Sequence, residues 1–235
     1  MKKRTQIFFI SLLVLCISFA VTVSADFSTQ RVYTEGQFTD VALDAWYASS
    51  VKDAYEYGIM QGNSNTTFNP EGTLTVAEGI TIAARIHQTI NGTAIPETDG
   101  EWYAKYVSYA VNNGFLAENY FDNYDREIKR FEIAELLSDV CGDLPAINDI
   151  DTIPDINPGA SYAKKVLKLY KWGILTGNDA YGTFAPNSNL LRSEISAMAV
   201  RIADSTKRVK KEFEMKNVRM YSDAYYIIEA IQPIG

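Results

Sequence analysis

Thr67 to Glu78 reads TFNPEGTLTVAE, and 116 residues later Thr183 to Glu194 reads TFAPNSNLLRSE, with five of twelve positions identical and no gap. The second copy carries Arg192 two places before the shared glutamate, where the first has Val76. A looser third version, Lys129-Arg130-Phe131-Glu132, again has an arginine. Other groups that could do chemistry are sparse. His87 is the sole histidine, with no second histidine or cysteine to complete a metal site, and is expected at the surface. Cys141 sits beside Val140 in an apolar helical pattern and suits a buried small side chain better than a nucleophile. There is no Gly-rich phosphate loop and no nucleophile elbow. Carboxylate pairs for glycoside hydrolysis meet only in a fold, so that chemistry stays open at this level. The acidic run Asn148 to Asn157, NDIDTIPDIN, lacks the spaced ligands and glycine of a calcium loop and reads as a linker. We therefore expect no enzyme, no cofactor and no metal.

The elements that must position these residues follow from an internal repeat. Trp46-Tyr47, Trp102-Tyr103 and Ser161-Tyr162 each begin twelve residues before a glycine, Gly58, Gly114 and Gly173. Between them, Val51, Ala54 and Tyr55, then Val107, Ala110 and Val111, then Val166, Leu169 and Tyr170 keep the i, i+3, i+4 spacing of one helix face. The glycine stands where a helix ends in the left-handed conformation. A second helix starts near Glu78, Glu132 and Glu194, with apolar sets Ile82, Ala83, Ile86; Ile133, Leu136, Leu137, Val140; and Ile195, Met198, Ala199, Ile202. Gly79 takes the place of the first apolar residue in the first set. The fold is expected to be mainly α, three helix-loop-helix repeats at 37–90, 95–145 and 150–205, since one such unit cannot bury a core alone. Extended structure is expected only at Phe38 to Val41 and Ile153 to Ile156.

Outside the repeats, MKKR, the apolar run Ile7 to Ala20 and Val23-Ser24-Ala25 make residues 1–25 a signal peptide, so the chain is expected to be exported. Without Lys2, Lys3 and Arg4, 19 Lys and Arg face 29 Asp and Glu, a formal charge of −10 that disfavours nucleic acid as a partner. Only Cys141 remains after cleavage, which excludes an internal disulfide, and no membrane span is expected in the mature chain. The tail 206–235 is basic at first, with six Lys or Arg against two acids from Lys207 to Arg219, then apolar. Its first part reads as an exposed basic helix, the second as a short strand or docking segment that could recruit a surface protein.

The motifs FTDV, WY, GIMQG, FNP and TVAE in the first repeat and IPDI, SY, GILTG, FAP and LRSE in the third resemble the S-layer homology (SLH) domains of bacterial cell-surface proteins, which occur as triplets. The second repeat, with WY, GFLAE and KRFE, lacks FxDV and FxP. The resemblance implies a pseudo-threefold bundle that anchors proteins to the wall of a Gram-positive-type bacterium. It also implies that grooves between repeats bind a secondary cell-wall polysaccharide carrying pyruvate ketals, without covalent chemistry. Such a ketal presents a carboxylate beside a methyl group. Free N–H groups at a helix N-terminus suit an anion, and the planar fork of Arg130 or Arg192 suits a carboxylate. Trp46 and Trp102 could stack on a sugar or equally sit in the core. Asp40 and Asp155 could accept sugar hydroxyls or equally cap a turn. Val76, in a complete Thr75-to-Glu78 capping box, marks the first repeat's groove as the weak or silent one. The alternatives are an adaptor working through its tail and a wall-polysaccharide hydrolase.

Overall fold

The computed structural model describes residues 27–214. The expected signal peptide and the apolar end of the tail lie outside the described residues. Three short helices, α1 (Ala48–Glu56), α3 (Ala104–Asn112) and α5 (Ala163–Lys171), alternate with three longer ones, α2 (Val76–Asn91), α4 (Arg130–Val140) and α6 (Arg192–Ala203). A single 3-10 turn follows at Ser205–Lys207. The expected mainly-α class holds, and the short helices stop where the sequence places the stop. Gly58, Gly114 and Gly173 have φ of 71°, 78° and 71°, a region that costs a side chain but not a glycine. The residue after each glycine folds back: Ile59, Phe115 and Ile174 donate their N–H to Ala54, Ala110 and Leu169 at 3.0, 3.2 and 3.0 Å.

None of these six helices packs on the other helix of its own pair. Instead α3 lies on α2, α5 on α4, and α1 on α6, so each short helix is covered by the long helix of another repeat and the third contact closes a ring. Of the faces the periodicity marks, Val51 and Ala54, Ala110, and Val166, Leu169 and Tyr170 are buried, whereas Val107 and Val111 are only partly so and α3 buries Tyr109 instead. The long helices meet near the centre, where α2 contacts both α4 and α6.

At the hub, three short segments pair with one another. Single antiparallel bridges join Thr73 to Leu191, Thr75 to Glu127 and Lys129 to Asn189, and Leu74, Ile128 and Leu190 point into the core. The extended structure therefore lies just before each long helix. Phe38 to Val41 and Ile153 to Ile156, the two stretches expected to be extended, carry turns and bends. The apolar residues at each end of these stretches, three positions apart, dock a loop rather than forming a strand: Phe38, Val41, Ile153 and Ile156 are buried.

The tail also departs from expectation. Residues 208–214 form no helix. Val209 donates to the carbonyl of Gly173, Glu214 to that of Ala180, and the buried Asn148 bridges the carbonyls of Tyr170 and Val209 while accepting from Lys211. These tertiary hydrogen bonds replace the internal bonds of a helix.

Candidate functional site

Each long helix begins with its first backbone donors already in use. The N–H groups of Val76, Arg130 and Arg192 go to the carbonyls of Arg126, Ser188 and Gly72, and those of Ala77, Phe131 and Ser193 go to Tyr124, Pro186 and Pro70. Every acceptor belongs to another repeat. The third donor of α2 goes to Thr75, completing the expected capping box with Glu78. Glu132 and Glu194 likewise accept from the backbone N–H of Lys129 and Leu191. The helix termini thus do not present an open set of N–H groups to an anion, contrary to the sequence expectation, because the hub pairing consumes them.

The arginines follow the same rule of serving a neighbour. Arg192 is buried and donates from Nε to the carbonyl of Phe68 at 2.9 Å and from Nη2 to that of Gln61 at 2.7 Å, while Nη1 pairs with Glu78 at 3.3 Å. Arg130, also buried, makes the matching set in the third repeat: the carbonyl of Phe184 at 2.8 Å, Asn178 Oδ1 at 3.3 Å and Glu194 at 2.7 Å. Each guanidinium lies over the ring of the phenylalanine it bonds, Phe68 at 4.9 Å and Phe184 at 5.4 Å. Burial pushes the Arg192 pKa down, opposed by Glu78. The first-turn arginine is thus matched by a carboxylate from within the protein, with Nη hydrogens to spare on a fork that carries five donors.

These contacts assign the arginines to grooves. The first repeat's groove is lined by Gln61, Glu78, Ile82 and Arg85 of that repeat, Trp102 of the second and Arg192 of the third. The third repeat's groove is its counterpart, with Asn178, Glu194, Met198 and Arg201, Trp46 of the first repeat and Arg130 of the second. Val76 therefore does not leave the first repeat's groove without an arginine. Its own side chain is fully buried, and the groove without a first-turn arginine is that of the second repeat. Sequence reasoning placed the residue beside its own helix start, whereas the side chain reaches across the hub.

Trp46 and Trp102 are 65% and 56% exposed, which decides between core and surface in favour of surface. Both line a groove beside an arginine. Asp40 and Asp155 lie apart from the lining. Both oxygens of Asp40 accept from the backbone N–H groups of Phe68 and Asn69 at 2.8 and 2.7 Å, and Asp155 does the same for Phe184 and Ala185 at 2.8 and 2.6 Å. They hold the loop under each groove, a turn-capping function carried over 28 to 30 residues.

Arg85 and Arg201 were missed, although each stands seven residues after a repeat glutamate. Their Nη1 atoms donate to the carbonyls of Ile59 and Ile174 at 3.0 and 2.8 Å, fixing them on the groove wall. Burial lowers the Arg201 pKa. His87 is half-buried rather than on the surface. Its Nδ1 is 2.9 Å from the Tyr109 hydroxyl and its ring lies 4.9 Å from that of Phe115, at the junction of α2 and α3. Cys141 is buried as expected, and burial pushes its thiol up to about 12.

Two repeats built alike around a shared ring of segments now bear comparison with known proteins. The S-layer homology domain family matches residues 37–78 and 152–195. Two segments of the chain thus carry the S-layer homology pattern. These matches fall on the first and third helix pairs, reaching the start of α2 and of α6, and the middle helix pair lies between them. The chain is similar to the "Surface-layer 125 kDa protein" of Lysinibacillus sphaericus, 25% identical over 194 residues, or 77% of this chain. It is also similar to the "S-layer protein sap" of Bacillus anthracis, 28% identical over 142 residues, or 58% of this chain. In each case the aligned part is 16% of the relative's length. No described helix is long and apolar enough to cross a membrane.

Proposed function

We propose that this chain is a non-covalent cell-wall anchor, an S-layer-associated module that binds a pyruvylated secondary cell-wall polysaccharide in the grooves of its first and third repeats. The observation that carries this reading is the pairing, in both grooves, of an exposed tryptophan with two arginines contributed by different repeats. A tryptophan face suits a sugar ring, and two guanidinium groups against one glutamate leave each groove with a net positive charge for a carboxylate. The middle helix pair is read as a third S-layer homology repeat. Export and a place on the surface of a Gram-positive-type wall follow from this reading, as does the absence of covalent chemistry.

Arg130 and Arg192 are poor first targets for a test. Removing one partner of a buried ion pair costs about 3–5 kcal/mol, so loss of binding would be confounded with loss of fold. The tryptophans are exposed and separable from stability. The Trp46→Ala/Trp102→Ala variant is expected to keep its circular dichroism and its melting temperature to within a few degrees, and to lose at least tenfold in retention on purified sacculi. Wild-type protein should likewise fail to bind sacculi stripped of secondary polymer. Full retention of the double variant would reject the groove reading, and release of soluble wall fragments would favour a hydrolase. An adaptor function through the tail rests on the residues beyond 214 and is tested by a pull-down with and without residues 215–235.

A further inference from the structure

The second repeat's groove has the position of the other two and a different set of charges. Where the first-turn arginine is missing, Arg126 fills the place from the loop of the second repeat itself. Its guanidinium lies 5.4 Å from the centre of the Phe121 ring, as its counterparts lie over Phe68 and Phe184. Both Nη atoms are spent on Glu132, at 2.9 and 2.6 Å. At the offset of Arg85 and Arg201 from the repeat glutamate stands Asp139, and at the offset of Trp46 and Trp102 stands Ser161. Lys165, from the third repeat, reaches into this groove and pairs with Asp139 at 2.8 Å and Glu135 at 3.8 Å.

The consequence is a reversal of sign. Two arginines face one glutamate in each of the other grooves, whereas here Arg126 and Lys165 face Glu132, Glu135 and Asp139. An incoming carboxylate would meet three others at close range, with both cations already engaged, and would find no indole to stack on. Like charges a few ångströms apart in a partly desolvated cleft repel one another.

We propose that the middle groove is closed to the anionic ligand by its own side chains, with Glu135 and Asp139 as the specificity-determining residues, so that the chain takes two ligand molecules rather than three. This rests on the carbohydrate reading above and adds a valence to it. Arg126 then keeps the scaffold of the third seam without supplying a site.

Equilibrium dialysis of the full chain against a radiolabelled pyruvate-ketal methyl glycoside tests this by counting. The wild type is expected to saturate at about 2 equivalents, and Trp46→Ala and Trp102→Ala at about 1 equivalent each. Lys165→Ala is expected to leave both number and affinity unchanged, since the side chain is one-third exposed and its removal leaves the fold in place. Saturation of the wild type at one or at three equivalents would overturn the proposal, as would loss of an equivalent in Lys165→Ala. Failure of the wild type to take up any glycoside would overturn the carbohydrate reading itself, a result distinct from a wrong count.

Discussion

Arg192 and Val76 occupy the same position of a repeat, and the difference between them is read by a neighbouring repeat. That is why residue types alone misassigned the groove: a first-turn arginine was placed at its own helix start, yet it donates to Phe68, Gln61 and Glu78 of another repeat. His87 shows the same limit from the other side. Its type and isolation suggested a surface position, but it is half-buried against Tyr109 and Phe115. Burial lowers its pKa below the ordinary histidine value of about 6.5. The unfolded chain therefore takes up a proton at higher pH than the folded one. The contribution of a neutral His87 to stability is fully present above about pH 6.5 and is lost as the pH falls below it. We expect urea-unfolding free energy to decline between pH 7 and pH 5, and His87→Gln to flatten that decline relative to wild type. An equal slope in the two proteins would reject the assignment.

Among the elements, α2 differs from α4 and α6 at one legible place. Gly79 stands where Ile133 and Ile195 begin the apolar sets of the other long helices. A side chain there would start 2.6 Å from the Cδ1 of Ile128 and 3.2 Å from that of Ile133. The glycine lets α2 approach the hub segment and α4, which accounts for a helix-weakening residue in the first turn of the longest helix. Gly79→Val is expected to cost about 1–3 kcal/mol by overpacking, measured as a lower urea midpoint with an unchanged slope. A neutral or stabilising effect would show that the α2–α4 contact has room the structure does not give it. The short helices need no such adjustment, because their ends are set locally by glycine and their faces by a neighbour's long helix.

At the scale of the whole molecule, the ring of contacts α3 on α2, α5 on α4 and α1 on α6 makes the three repeats one cooperative unit. A chain cut after residue 145 would lose α5 and α6 and leave Val51 and Ala54 of α1 facing water. We expect this fragment to show no cooperative thermal transition and to lose its near-ultraviolet circular dichroism, while the full chain unfolds in a single step. A folded, cooperatively melting fragment would mean that the ring does not need to close. The same closure builds the grooves, since the linings of the first and third draw on all three repeats.

Spacing along the chain was enough for the helical class, the glycine stops and most of the buried helix faces, because these rest on patterns within a few turns of chain. The motifs also sufficed to point to the S-layer homology family. Which repeat supplies the arginine to which groove, how Arg126 stands in for a missing one, and how the hub consumes the helix-start donors were decided only by the tertiary structure. The pairings between repeats join residues 47 to 131 positions apart, such as Ala77 with Tyr124 and Arg192 with Gln61. No local periodicity encodes them, and they appear only when packing the apolar faces turns each repeat toward its neighbour.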